Sequence, residues 1–184
     1  MARDRLAGML LVATPVMRDP NFDHTVVLLL DHNPEGALGV VLNRPSSAEV
    51  AEPLPSWTDH AAPPPVVFIG GPVAPGSAIC LARSVADGAD GWQPLFGGLG
   101  TVDLGRGPDE LGAPIEAVRV FAGYAGWGAG QLESEIDAGA WFVLARDAGD
   151  ALAADPTGLW QQVLRRQGGV VAAMATFPAE LSEN

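Results

Sequence analysis

The sequence contains no lysine and a single cysteine, Cys80. One cysteine cannot form an internal disulfide, so the fold must depend on its hydrophobic core, and a reducing compartment is the natural setting. All 10 basic residues are arginine, against 22 aspartates and glutamates, which gives a formal net charge of −12. Specific DNA binders commonly make about six to ten basic contacts to phosphates, which would require most of these arginines on one face. We therefore expect no direct contact with nucleic acid.

Long uninterrupted apolar runs are also missing, since no stretch approaches the ~18 consecutive apolar residues of a membrane helix. Residues 1–20 superficially resemble an export signal, but their apolar part is short and is interrupted by Thr14 and Pro15. We interpret this part of the chain as a first strand and expect a cytoplasmic protein without membrane contact. Hydrophobic residues still make up 48% of the 184 residues, which is enough for the core of one domain.

Short apolar runs bounded by glycine, proline and asparagine predict a chain dominated by strands. The short segment from His32 to Gly36 separates two of these runs and predicts a hairpin. Several runs are apolar throughout, which is typical of a sheet that is covered on both faces or curled on itself. The predicted strands span residues 9–15, 25–32, 37–45, 66–73, 77–83, 116–123, 140–146 and 170–177.

Helical signals are fewer. Residues 156–167 follow an aspartate suited to cap a helix and carry their apolar side chains on one stripe, which predicts a helix. A shorter helix is predicted around 47–52 and a helical turn at 108–112. Residues 84–115 are rich in glycine and aspartate, and predict a variable, loop-rich middle within one domain that covers residues 1–184.

The segment 121–143, FAGYAGWGAGQLESEIDAGAWFV, places four glycines between a predicted strand and a short helix. Such a loop can bind phosphate, but this one lacks the Lys-Ser/Thr ending of a P-loop and the spacing of a dinucleotide motif. Glu133 and Glu135 also put negative charge where an anion would bind. We expect the glycines to be steric, making room for bulky rings. The alternative is a ligand pocket with walls formed by Tyr124, Trp127 and Gln131.

A polar group is predicted at the hairpin tip. His32 and Asn33 could face a groove, with Asn43 and Arg44 nearby across the hairpin. We favour the other interpretation, turn chemistry, in which Asn33 shapes the turn and His32 is half exposed.

Signatures of catalysis and metal binding are weak. The three histidines lack the spacing of metal ligands, and Ser134 is flanked by glutamates rather than by glycines. Glu133 and Glu135 stand at positions i and i+2 of a predicted helix, so they should point in different directions and should not share a proton. Cys80 lies between apolar neighbours and is expected to be a buried core residue. We expect no catalytic residue, no cofactor and no metal.

Several separated blocks make the sequence similar to the YqgE/AlgH family of small bacterial proteins. The blocks are DPNFDHTVVLLLDHN, GALGVVLNRP, IGGPV, GYAGWGAGQLESEI, AW and the closing ATFP. The resemblance implies an α+β fold, in which a mixed, strongly bent β-sheet forms a barrel-like core with a few helices packed outside. Members of this family are often labelled transcriptional regulators, although their function is poorly established.

Three functional hypotheses follow. The first is a non-catalytic cytoplasmic domain with a regulatory role that binds a small molecule or a partner protein. The second is an enzyme whose site near Tyr124, Glu133 and His32 is assembled only by folding. The third is a transcriptional regulator that acts through protein contacts rather than by direct DNA binding. The candidate ligand-binding residues are His32, Asn33, Asn43, Arg44, Tyr124, Trp127, Gln131 and Glu133.

Overall fold

A computed structural model describes residues 6–84, 90–112 and 114–177 of the protein. The strands are β1 (Leu10–Ala13), β2 (Val26–Asn33), β3 (Gly36–Val41), β4 (Pro45–Glu49), β5 (Val66–Ile69), β6 (Val73–Ser84), β7 (Trp92–Phe96), β8 (Leu99–Val102), β9 (Ile115–Gly128) and β10 (Trp141–Leu144). The helices are α1 (Gln131–Asp137), α2 (Leu159–Gln167) and α3 (Gly169–Ala173). Short 3-10 turns lie at Pro55–His60, Pro108–Glu110, Asp150–Leu152, Pro156–Gly158 and Met174–Thr176. No helix in these described ranges is long and apolar enough to cross a membrane.

The strands form one mixed sheet in the order β10-β1-β2-β3-β9-β6-β8-β7. Strand β9 lies at the centre of this sheet, because other strands pair with both of its edges. Along one edge its middle, at Phe121 and Ala122, pairs in parallel with β5, and residues 125–128 pair antiparallel with β3. Its other edge pairs antiparallel with β6. Strand β4 extends this arrangement by pairing with β5.

The sheet bends until its two ends meet. Arg146, just after β10, donates to the carbonyl oxygen of Gly8 before β1, at 2.9 Å. The same guanidinium lies over the ring of Phe96 at the end of β7, with Cζ 4.3 Å from the ring centroid. One side chain therefore joins opposite ends of the strand order. The predicted α+β fold with a strongly bent, barrel-like sheet is confirmed, and the curled sheet forms a half-barrel.

Both faces of the sheet are covered, which explains the strands that are apolar throughout. In β2, Leu28 packs into one core cluster, while Val27 and Leu29 pack into another on the opposite face. The first cluster also contains the apolar stripe of α2, and the second contains Leu132 of α1. The indole N–H of Trp160 in α2 donates to a carbonyl at the end of β1, at 2.9 Å.

Two predicted elements were wrong. The helix predicted around 47–52 overlaps β4, which is a strand because its segment pairs with β5. The strand predicted over 170–177 is α3 followed by a 3-10 turn. Its run of small and apolar residues follows two glycines with positive φ, which turn the chain so that a new helix starts and packs against α2.

The predicted loop-rich middle is partly a hairpin. Strands β7 and β8 pair antiparallel, with Trp92 opposite Val102, and both of these side chains are buried in a third core cluster. Residues 85–89 and Ala113 of this middle, and Pro178 of the closing block, lie outside the described residues. The predicted turn at 108–112 and the helix between Gly130 and Gly139 are both present.

Candidate functional site

The glycines of two sequence blocks meet where the chain crosses β9. Strands β5 and β6 lie on opposite edges of β9, so residues 70–72 must pass over it. A Cβ on Gly71 would overlap the backbone of Tyr124, and one on Gly70 would overlap the carbonyl of Gly123. Gly123 has φ +71°, a conformation that L side chains rarely adopt. Gly70, Gly71 and Gly123 are steric, since only a residue without a side chain lets the two segments approach so closely. The expectation that the glycines of 121–143 make room for rings holds only for Gly126, which lies beside Tyr124, because a Cβ on Gly128 or Gly130 would meet no ring.

An open groove of about 440 Å³ lies between this crossing and the hairpin. One part of its lining is polar and exposed, and comes from the end of β2 and the turn after it. The other part is apolar and comes from β3, β6 and β9. The lining residues are Asp31, Asn33, Glu35, Gly36, Ala37, Leu38, Val73, Tyr124, Gly126 and Trp127.

The hairpin presents its polar side chains to this groove. Asn33 is the strand partner of Gly36, so Pro34 and Glu35 form the turn between them, as the sequence predicted. Asn33 Oδ1 accepts the N–H of Glu35 at 2.8 Å, which fixes the turn. Asn33 therefore both shapes the turn and lines the groove. Asp31 and Glu35 also line it, although the sequence analysis did not include them among the site residues.

His32 points to the opposite face of the sheet from Asp31 and Asn33. It is only 6% exposed, so the expectation of a half-exposed side chain was wrong. Its Nδ1 accepts the N–H of Leu6 at 3.2 Å, and its Nε2 lies 2.6 Å from Oε1 of Glu133 in α1. Because Nδ1 is an acceptor here, the ring proton is on Nε2 and is donated to the carboxylate. His32 and Glu133 thus form a pair that is separated from Tyr124 by the sheet.

Asn43 and Arg44 lie at the far end of β3 from the hairpin, so the prediction that they join His32 and Asn33 was wrong. Asn43 accepts from the first N–H of β2 at 3.0 Å and donates to the carbonyl of His24 at 2.8 Å. Arg44 donates to the carbonyls of Pro20 and Asp23. Burial lowers the pKa of Arg44, and nearby aspartates oppose this. Both side chains hold the loop before β2, and the register of β3 accounts for their distance from the tip.

The remaining predicted residues surround the start of α1. Gln131 Oε1 accepts the N–H of Gly128 at 3.1 Å, which closes the loop before the helix. Glu135 lies close to the indoles of Trp127 and Trp141, whereas Glu133 bonds to His32. Burial raises the pKa of Glu135, and the two indoles only partly offset this. The buried Nε1 of Trp141 nevertheless has no hydrogen-bond partner of standard geometry in the described structure. The two glutamates face different partners, as their spacing predicted.

Two buried groups elsewhere are structural. Cys80 is 2% exposed, and burial raises the pKa of its thiol to about 12. Arg119 is 2% exposed, and donates to the carbonyls of Pro63 at 2.7 Å and Ala153 at 2.9 Å. Burial lowers the pKa of Arg119 to about 10. The sequence analysis missed Arg119, although its place in a run of otherwise apolar strand residues was a signal.

Within the described ranges, no three His, Cys, Asp or Glu side chains are arranged to hold a metal ion.

The fold and these motifs define a class of small α+β half-barrel domains with a glycine crossing over the central strand. Residues 10–172 match the model of the AlgH-like family. A "UPF0301 protein" of Streptomyces avermitilis is 50% identical, covering 97% of this chain and 95% of its own. Another, of Thermobifida fusca, is 49% identical, covering 100% of this chain and 98% of its own. The chain therefore belongs to the AlgH-like family, as the sequence blocks indicated.

Two solved structures share the fold. A crystal structure of a Corynebacterium diphtheriae protein superposes with a TM-score of 0.85 at 34% identity, covering 96% of this chain and 95% of its own. The solution structure of the AlgH protein from Pseudomonas aeruginosa gives a TM-score of 0.67 at 29% identity, covering 94% of each chain.

Proposed function

We propose that the protein is a non-catalytic, cytoplasmic binding domain whose hairpin groove takes a positively charged segment of a partner protein. The observation that carries this proposal is the composition of the groove. Asp31 and Glu35 place two carboxylates at its rim, and its described lining contains no basic side chain. Charges at the rim of an interface select partners of opposite sign and accelerate their encounter. The formal net charge of −12 acts in the same direction.

The apolar part of the groove suits the stems of arginine and lysine side chains. Leu38 and Tyr124 are half-buried there, and Val73 remains 37% exposed. Long basic side chains pack their methylene groups on apolar surface while their charged ends stay in water. The ring of Tyr124 also offers a face on which a cation can rest.

The shape of the groove favours a protein segment over a small metabolite. Small-molecule sites are usually concave enough to bury most of the ligand surface. This groove is wide and open, so a compact ligand would remain largely in solvent. Its polar residues sit on a turn that is fixed by the strands on either side, as is common for binding loops on a rigid sheet. Regulation through protein contacts is compatible with this arrangement.

Site-specific photo-crosslinking tests the proposal. The photoreactive residue p-benzoylphenylalanine would replace Val73 in the groove or, as a control, Val170, which is 75% exposed in α3. We expect crosslinks from position 73 alone, with the attached peptides mapping to a basic segment of one partner. Crosslinks to segments without basic residues, or the same products from both positions, would contradict the proposal.

The affinity of the mapped segment, made as a peptide, then tests the carboxylates. The double variant Asp31→Asn/Glu35→Gln should bind about fivefold more weakly, because two exposed ion pairs contribute ~1 kcal/mol together. The matched control Glu49→Gln/Glu52→Gln makes the same charge change at exposed positions outside the groove. Fluorescence anisotropy gives both affinities. An equal loss of peptide affinity in the two double variants would show that the net charge of the protein, and not the groove, determines binding.

A further inference from the structure

A second cavity lies on the other face of the sheet from the groove. It has a volume of about 150 Å³ and is lined by Leu6, Glu133, Ile136 and Val143. The three apolar residues pack against the core cluster that holds α1. Leu38 and Tyr124 of the groove instead pack against the cluster that holds α2. Ala37 and Trp127, which also line the groove, pack in the same cluster as the cavity. The cavity and the groove nevertheless share none of their described lining residues.

The size and lining of this cavity suit a small apolar molecule. Its exposed wall is almost entirely aliphatic. A cavity of ~150 Å³ lined by aliphatic and aromatic side chains stays dry in another protein and binds benzene. Since the cavity here has the same size and a similar lining, water gains few hydrogen bonds inside it, and an apolar ring of that size would fill it.

His32 fixes two walls of the cavity. The N–H of Leu6, on one side, donates to its Nδ1 at 3.2 Å, and the carboxylate of Glu133, on the other side, accepts from its Nε2. The imidazole itself is almost fully buried, with its side chain 1% exposed. This pair of bonds gives the buried histidine a role, because it holds the two walls at a constant distance.

Among the described residues that line the cavity, Glu133 is the polar one. Its side chain is 29% exposed, and its Oε1 is the atom bound to His32. An ionised carboxylate only accepts hydrogen bonds and can accept several. A ligand that reaches it therefore needs a donor group.

We propose that this cavity binds a small, mainly apolar molecule of about the size of one benzene ring that carries a single hydrogen-bond donor directed at Glu133. Phenolic compounds have this chemistry. The hydroxyl would meet the carboxylate at the edge, and the ring would lie between Ile136 and Val143.

Methyl NMR on the full-length protein tests the proposal with phenol and toluene as probes. Phenol should shift the methyl signals of Leu6, Ile136 and Val143, and leave those of Leu38 in the groove unchanged. We expect phenol to bind at least fivefold more tightly than toluene in the wild type. This preference should disappear in Glu133→Gln, which removes the charge of the carboxylate. The absence of shifts up to the solubility of phenol, or equal affinities for the two probes, would overturn the proposal.

Two variants of the same chemistry locate the binding. Val143→Phe fills the cavity and should weaken phenol binding at least tenfold, whereas Val73→Phe alters only the groove and should leave it unchanged. If Val143→Phe does not fold, Ile136→Phe provides the same test from the opposite wall. Deletion of residues 1–5 tests whether the N-terminal residues of the chain compete with phenol for the cavity. An increase of more than tenfold in phenol affinity after this deletion would show that the chain's own N-terminus fills the cavity, and the proposal would fail.

Discussion

Replacing Gly71 by alanine should be among the most damaging single-methyl changes in this protein. The added Cβ would overlap the backbone of Tyr124 in β9, and neither segment can move without breaking sheet pairing. Gly71 also has φ +155°, where an L residue is strained by ~1–2 kcal/mol. Overpacking against a fixed backbone costs a further ~1–3 kcal/mol. We therefore expect a loss of about 2–5 kcal/mol, a large fraction of the ~5–15 kcal/mol that stabilises a typical domain.

The matched control is Gly128→Ala, at the end of the same β9 strand. A Cβ at this position would have only one neighbour, at 4.0 Å, and Gly128 is not among the glycines with positive φ. Alanine there should be neutral or stabilise by ~0.5 kcal/mol, since it reduces the freedom of the unfolded chain. Urea unfolding followed by tryptophan fluorescence measures both variants. If the free energies of unfolding of the two variants lie within 1 kcal/mol of each other, the steric explanation of the IGGPV block is refuted.

Three further predictions concern charge and burial. Burial raises the pKa of Glu135, so its ionisation opposes folding and this penalty grows as pH rises above the pKa of the unfolded chain. Glu135→Gln should therefore stabilise the protein at pH 7 and lose that advantage in acid. Urea unfolding at neutral and at acidic pH measures this, and a difference in the free energy of unfolding between variant and wild type that does not change with pH would contradict it. Cys80, with its pKa raised to about 12, should react with a thiol reagent at pH 8 only after unfolding, and rapid labelling of the native protein would contradict its burial. Duplex DNA should show no anisotropy change at low salt, and binding that weakens steeply with added salt would contradict the charge argument.

The sequence predicted most strands and the hairpin because their signals are local. Proline, glycine and asparagine mark the ends of apolar runs, and the first five residues of β2 are all apolar because core clusters cover both sides of the strand there. The bent α+β sheet was predicted from the family resemblance and from these strands. The order of strands around β9 follows from long-range pairing, which a local pattern does not encode.

The errors have the same origin. Residues 45–49 form a strand only because β5 offers a partner, and the apolar run after Gly169 is helical only because it can pack against α2. In the candidate site, Asn33, Tyr124 and Trp127 do line one groove. Asn43 and Arg44 do not reach it, because residues that neighbour a strand in the sequence can lie at its far end in the fold.

The DHN sequence at the end of β2 shows how one short motif can serve two faces of a sheet. Side chains alternate along a strand, so Asp31 and Asn33 face the groove, while His32 faces α1. A bulge between Leu29 and Asp31 shifts the register and sets which residues take which side. Without that bulge, the carboxylate would be placed in the apolar core beside α1 and the histidine would face solvent. The irregular pairing of β2 is therefore what allows a charged groove and an apolar cavity to lie back to back across a single layer of sheet.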